Sequence, residues 1–99
     1  MTAATRTPAA VENRDAALHA LGREGCSAPR SWGNGPGDAY GWHAHEYHKV
    51  LFCLRGSIVF HTPEGDVEMG SGDRLDLGPG TEHAATVGPN GVECVEASR

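Results

Sequence analysis

Gly41-Trp42-His43-Ala44-His45-Glu46-Tyr47-His48-Lys49-Val50-Leu51-Phe52-Cys53-Leu54-Arg55-Gly56 is the stretch on which the fold turns. It carries three of the chain's six histidines and runs at once into an apolar segment closed by a glycine. Side chains on an extended strand alternate between faces, so His43 and His45 project to one side. Neutral imidazole is the commonest protein metal ligand, and two of them leaving one strand together make half of a metal site. The remaining sequence then reads as a scaffold that brings further ligands to that pair.

Downstream, short apolar runs alternate with turn signals. Lys49 to Leu54 is a buried strand, Arg55-Gly56 a turn, and Ser57 to Thr62 the next strand. Pro63-Glu64-Gly65-Asp66 is a hairpin connection to Val67–Met69. Arg74-Leu75-Asp76-Leu77 has period two, with Leu75 and Leu77 inward. Gly78-Pro79-Gly80 breaks it. Glu82 to Val87 follows, and Gly88-Pro89-Asn90-Gly91 leads to a last strand, Val92 to Ala97. Upstream, Tyr40 to His45 is the first long strand, while Cys26 to Tyr40 is rich in Gly, Pro, Asn and Asp and reads as turns. Ala10 to Arg23 has helical spacing, with Val11, Leu18 and Leu21 near one face and Gly22 or Gly25 as the stop. Residues 1–9 are small and polar and are expected to be disordered. The 14 glycines and six prolines separate short strands, which points to an all-β sandwich or barrel carrying one short helix.

A length of 99 residues allows one domain. The net charge of −5, with no cluster of Lys or Arg, argues against a nucleic-acid partner. No apolar run is long enough to span a membrane, and the N-terminus lacks the hydrophobic stretch of a secretory signal, so a cytoplasmic location is expected. The cysteines, Cys26, Cys53 and Cys94, form no CxxC pair, and Cys53 and Cys94 fall in apolar segments as core residues. His19 reads as a solvated helix residue, and His61 and Glu82 read as exposed on their strands.

The motifs resemble those of the cupin superfamily. The first family motif has a Gly, His-x-His, a Glu a few residues on and a closing Gly; His43-Ala44-His45, Lys49 and Gly56 stand at those places. The second has Gly, Pro-x-Gly and a His after two more residues; Gly72, Gly78-Pro79-Gly80 and His83 match it. The resemblance covers roughly Tyr40 to the C-terminus. It implies a small single-domain cupin, a jelly-roll β-barrel over about residues 38–98 with a short N-terminal helix, and often a homodimer. It also implies a metal held by His43, His45 and His83 in the barrel mouth.

Lys49 departs from the pattern. A protonated ammonium has no free lone pair and would repel a divalent cation. Three arrangements stay open: Lys49 deprotonated by burial, His48 re-aimed inward by a bulge, or three histidines alone. The donor set suits zinc, iron, nickel or manganese. Lys49, Tyr47 and Trp42 are candidate contacts for a bound small molecule, with Trp32 and Tyr40 close by in sequence. The expected function is therefore binding of, or action on, a small anionic molecule at a metal, as in an oxygenase or isomerase. The rival expectation is a metal-free ligand-binding or sensor barrel. No residue is assigned a catalytic role.

Overall fold

The structure, a computed structural model, describes residues 4–99. Its elements in chain order are β1 (Ala4–Thr7), α1 (Arg14–Arg23), β2 (Ser27–Asn34), β3 (Ala39–His43), β4 (Lys49–Thr62), β5 (Gly65–Met69), β6 (Arg74–Leu77) and β7 (His83–Ser98). Strands β4 and β7 run antiparallel along each other from the pair Lys49–Ser98 to the pair His61–Ala84. Every other strand hangs on this ribbon. At one end β6 pairs with the start of β4 and carries β1 outside it, while β2 pairs with the end of β7. At the other end β5 pairs with β4, and β3 with the start of β7.

The ribbon bends in its middle. Its register shifts between Cys53 and Arg55 and again between Gly56 and Ile58. Inward residues change parity across that point, from Leu51 and Cys53 to Ile58 and Phe60 on β4, and from Ala85 and Val87 to Val92 and Cys94 on β7. An extra residue in one strand has this effect, since it breaks the two-residue period and increases the local bend. The two halves thus fold over one another and enclose a core that also holds Met69, Leu75 and Leu77, a jelly-roll arrangement. Gly56 occupies the corner at φ +78°, where a Cβ would lie 2.0 Å from the carbonyl oxygen of Gly91. Only glycine permits that approach.

Two expected breaks are therefore bends. Arg55-Gly56 and the segment 88–91 interrupt no strand; each lies within one long strand. Two further expectations are corrected. The segment 26–40, read as turns, contains β2, whose Arg30 to Asn34 pair with Glu96 to Val92. Its composition is poor for a strand, but β7 offers a partner, and Pro29 falls where the register skips between Ser27 and Arg30. Of residues 1–9, expected to be disordered, 1–3 lie outside the described residues, whereas Ala4–Thr7 form β1 against β6. Asp73 pins this segment, accepting from Arg6 Nε at 3.1 Å and from the Ala9 amide at 3.0 Å.

Helix α1 begins later than its spacing suggested, at Arg14, and the side chain of the preceding Asn13 accepts from the Ala16 amide and caps the first turn. It buries Ala17, Ala20 and Leu21 against Val50, Phe52, Val95 and Ala97 on the outer face of the ribbon. Leu18, expected inward, is exposed, and Val11 packs against this cluster from ahead of the helix. The helix thus closes the outside of the sheet and leaves the inside to the core and its cavity.

Candidate functional site

His43 ends β3 and His83 begins β7, and the two are register partners across the ladder. His45 follows two residues on, in the connection to β4, where its carbonyl accepts from the Gly80 amide at 2.7 Å. Ring centroids lie 4.2 Å apart for His43 and His83, 5.0 Å for His43 and His45, and 5.3 Å for His45 and His83. One nitrogen from each ring falls within 4.8 Å of the other two. An ion bonded at about 2.1 Å spaces its nitrogen ligands roughly 3.4 Å apart, so small side-chain shifts bring the cluster to coordination distance.

The backbone settles which nitrogens are free. His43 Nδ1 lies 2.7 Å from the Gly41 carbonyl oxygen, and His83 Nδ1 lies 2.9 Å from that of Thr81. A carbonyl oxygen only accepts, so both Nδ1 atoms carry a proton, and in the neutral ring this leaves the lone pair on Nε2. His45 Nε2 is buried and has no hydrogen-bond partner. Burial holds His45 below the ordinary imidazole value, and Lys49 and the other two rings reinforce this. Burial does the same at His83, opposed but not reversed by the Thr81 carbonyl. Both are therefore neutral at neutral pH, the form a metal requires.

The three rings border a cavity of about 410 Å³. Leu51, Ile58, Phe60 and Ala85 give it an apolar floor, and Trp32 and Tyr40 lie toward the sheet edge. Those two aromatics meet edge to face at 5.9 Å, and the Tyr40 hydroxyl is hydrogen-bonded to Asn34. Lys49 points into the cavity and is not a free cation. Its Nζ lies 3.2 Å from Glu96 Oε2, with the side chains 11% and 8% exposed. Trp32 Nε1 donates to Glu96 Oε1 at 2.7 Å, and Arg30 approaches Oε2 at 3.7 Å.

Glu96 is the residue that sequence reasoning missed. The signal was present: Cys94, read as core, shares its strand parity, so Glu96 also had to face inward. Other candidates lie elsewhere. His48 does not join the three histidines; its Nε2 sits 2.9 Å from Asp76 Oδ1, and no bulge turns it inward. Burial alone would raise the Asp76 carboxyl, but hydrogen bonds from Arg74 and His48 outweigh it and hold it below the usual range. Trp42 is 58% exposed and Tyr47 stacks on His45 at 4.9 Å; neither lines the cavity. His61 pairs with Asp66 and Thr86 on the surface side of its strand, and Glu82 is exposed.

Among the described residues, no helix is long and apolar enough to cross a membrane. A search of curated proteins gives no match. Solved structures similar to the chain include cupins. A conserved protein with a double-stranded β-helix domain from Klebsiella pneumoniae superposes with a TM-score of 0.63 at 22% identity, covering 71% of this chain and 60% of that one. An RmlC-like cupin from Shewanella frigidimarina gives 0.64 at 18% identity, covering 71% and 62%. A cupin domain from Bordetella pertussis gives 0.58 at 27% identity, covering 71% and 77%. The chain thus spans about three fifths of the length of the first two. The model of the AraC-like ligand binding domain matches residues 31–95, a span that includes β3, β4, the three histidines and the cavity floor. With the fold and that match agreeing, the chain is a small cupin and belongs to the AraC-like ligand-binding domain family.

Proposed function

We propose that the barrel binds one divalent transition metal through His43, His45 and His83 and holds a small organic molecule in the adjoining cavity. The observation that carries this reading is the buried, unpartnered Nε2 of His45 beside two rings whose Nδ1 protons are already committed. Leaving such an atom unsatisfied costs about 1–3 kcal/mol, which coordination would recover. Imidazole suits zinc, iron and nickel, whereas manganese prefers oxygen ligands. A bound ion would supply Lewis-acid polarisation of a ligand oxygen.

Three neutral ligands leave the full charge of the ion in place, which favours a molecule with an anionic oxygen and an apolar body for Leu51, Ile58 and Phe60. Lys49 contributes less to that preference than its charge suggests, because Glu96 neutralises it. A second reading, a ligand-binding module without catalysis, is favoured by the family's description as a ligand binding domain. We further infer that two copies pair through uncovered strand edges, since β2 and β1 end the sheet order. Sedimentation of the purified chain at a mass near 10.4 kDa would refute that pairing.

Metal content of tag-free protein, measured beside a His43→Ala, His45→Ala double variant, tests the main reading. About one transition metal per chain, lost in the variant, is the expected result. No metal in either protein after incubation with zinc, iron, nickel or manganese would overturn it and leave the metal-free module.

A further inference from the structure

Lys49 and Glu96 stand beside the three histidines as a closely packed ion pair, and the metal reading alone gives them no role. Glu96 is the sole carboxylate among the described residues that line the cavity. Its two oxygens are used differently. Oε1 accepts from the Trp32 indole at 2.7 Å, which fixes the carboxylate plane, while Oε2 faces Lys49 at 3.2 Å and the exposed Arg30 at 3.7 Å. On the ladder Glu96 lies opposite Leu51 and Lys49 opposite Ser98, so both side chains leave the ribbon on its inner face.

The pair borders the same cavity as the three histidines. Two opposite charges beside one cluster of nitrogens act on a divalent ion there with opposite signs. An unpaired Lys49 would oppose it, and an unpaired Glu96 would attract it.

Resting on the metal-binding reading, we propose that Glu96 is the counter-charge of the three-histidine centre and that Lys49 is its built-in competitor, so the pair sets metal affinity. Lys49 holds the carboxylate when no ion is bound. A bound ion would compete with the Lys49 ammonium for Glu96 Oε2, while Trp32 holds Oε1. Each partner is a positioning residue, and affinity follows the balance between them.

Removing either partner then moves affinity in opposite directions, which a merely structural pair would not do. The test is zinc binding alone, by competition with a chromophoric chelator, for the parent chain, Glu96→Gln, Lys49→Met and the double variant. Glu96→Gln should bind zinc at least ~10-fold more weakly, the range of outer-shell partners of metal sites. Lys49→Met should bind it roughly 10-fold more tightly, its carboxylate now free. The double variant, neutral again, should return close to the parent. It also guards the test, because neither charge is left buried alone if Glu96→Gln fails to fold. Equal affinities in the folded variants would overturn this proposal and leave the histidine site standing. Absence of zinc binding in the parent would overturn both.

Discussion

Replacing Gly56 by alanine tests whether the bend in the β4–β7 ribbon holds the two halves of the barrel together. The new Cβ would stand 2.0 Å from the Gly91 carbonyl oxygen and 2.8 Å from its carbon, on a backbone at φ +78°. The left-handed conformation costs a non-glycine residue about 1–2 kcal/mol. Relieving the contact requires moving the facing strand by roughly 1 Å, which disturbs neighbouring ladder bonds worth about 1 kcal/mol each. The sum is about 3–5 kcal/mol, a large share of a small domain's stability. At about 4–8 °C per kcal/mol, the melting temperature should fall by at least ~12 °C. Gly37→Ala is the control. Its φ is +77°, but no atom lies within 4 Å of the added Cβ, so only the conformational cost of about 1–2 kcal/mol applies. Urea and thermal unfolding of both variants decide the matter. Equal losses at the two positions would refute the close approach of β4 to β7.

Leu21→Ala should cost about 2–5 kcal/mol, read by urea unfolding, and leave metal stoichiometry unchanged, because α1 covers the outer face of the sheet. Burial alone would raise the Asp73 carboxyl, but the amides of Gly70 and Ala9 and the guanidinium of Arg6 outweigh it and hold it below its usual value. Its stabilising contribution is thus complete above the unfolded value of about 3.9 and fades as pH falls from there through the depressed folded value. Acid unfolding in that window should be shallower in Asp73→Asn, and hydrogen exchange of β1 should lose its protection first. His61→Ala should leave zinc affinity unchanged, since His61 is engaged with Asp66 and Thr86 away from the cavity.

Much of the site was legible because it rests on short-range rules. The His-x-His spacing flagged His43 and His45, although the strand expected to run from Tyr40 to His45 ends at His43 and the connection to β4 places His45; glycine and proline marked where the chain turns. The breaks at 55–56 and 88–91 were misread because a glycine at positive φ looks the same in sequence whether it closes a turn or bends a bulged strand. Only the pairing partner distinguishes the two, and that partner is distant in sequence: Gly56 meets Val92. The strand Ser27–Asn34 was hidden for the same reason, its weak propensity being overridden by the free edge of β7. Ala4–Thr7 likewise became a strand only through β6 and the carboxylate of Asp73. His48 was held away from the site by Asp76, a partner 28 residues on. Glu96 needed only parity, since Cys94 had already fixed which way its strand faces.

The protons of His43 and His83 are tied to main-chain carbonyls two residues earlier on their own segments, at Gly41 and Thr81. In many metal sites that duty falls to a carboxylate side chain, and exchanging it disturbs the ligand it steers. Here ligand orientation is written into the backbone. The cavity floor of Leu51, Ile58 and Phe60 can therefore be rebuilt for a different guest without retuning the two imidazoles. For anyone diversifying this barrel, the face proposed to bind metal and the cavity floor are separable libraries.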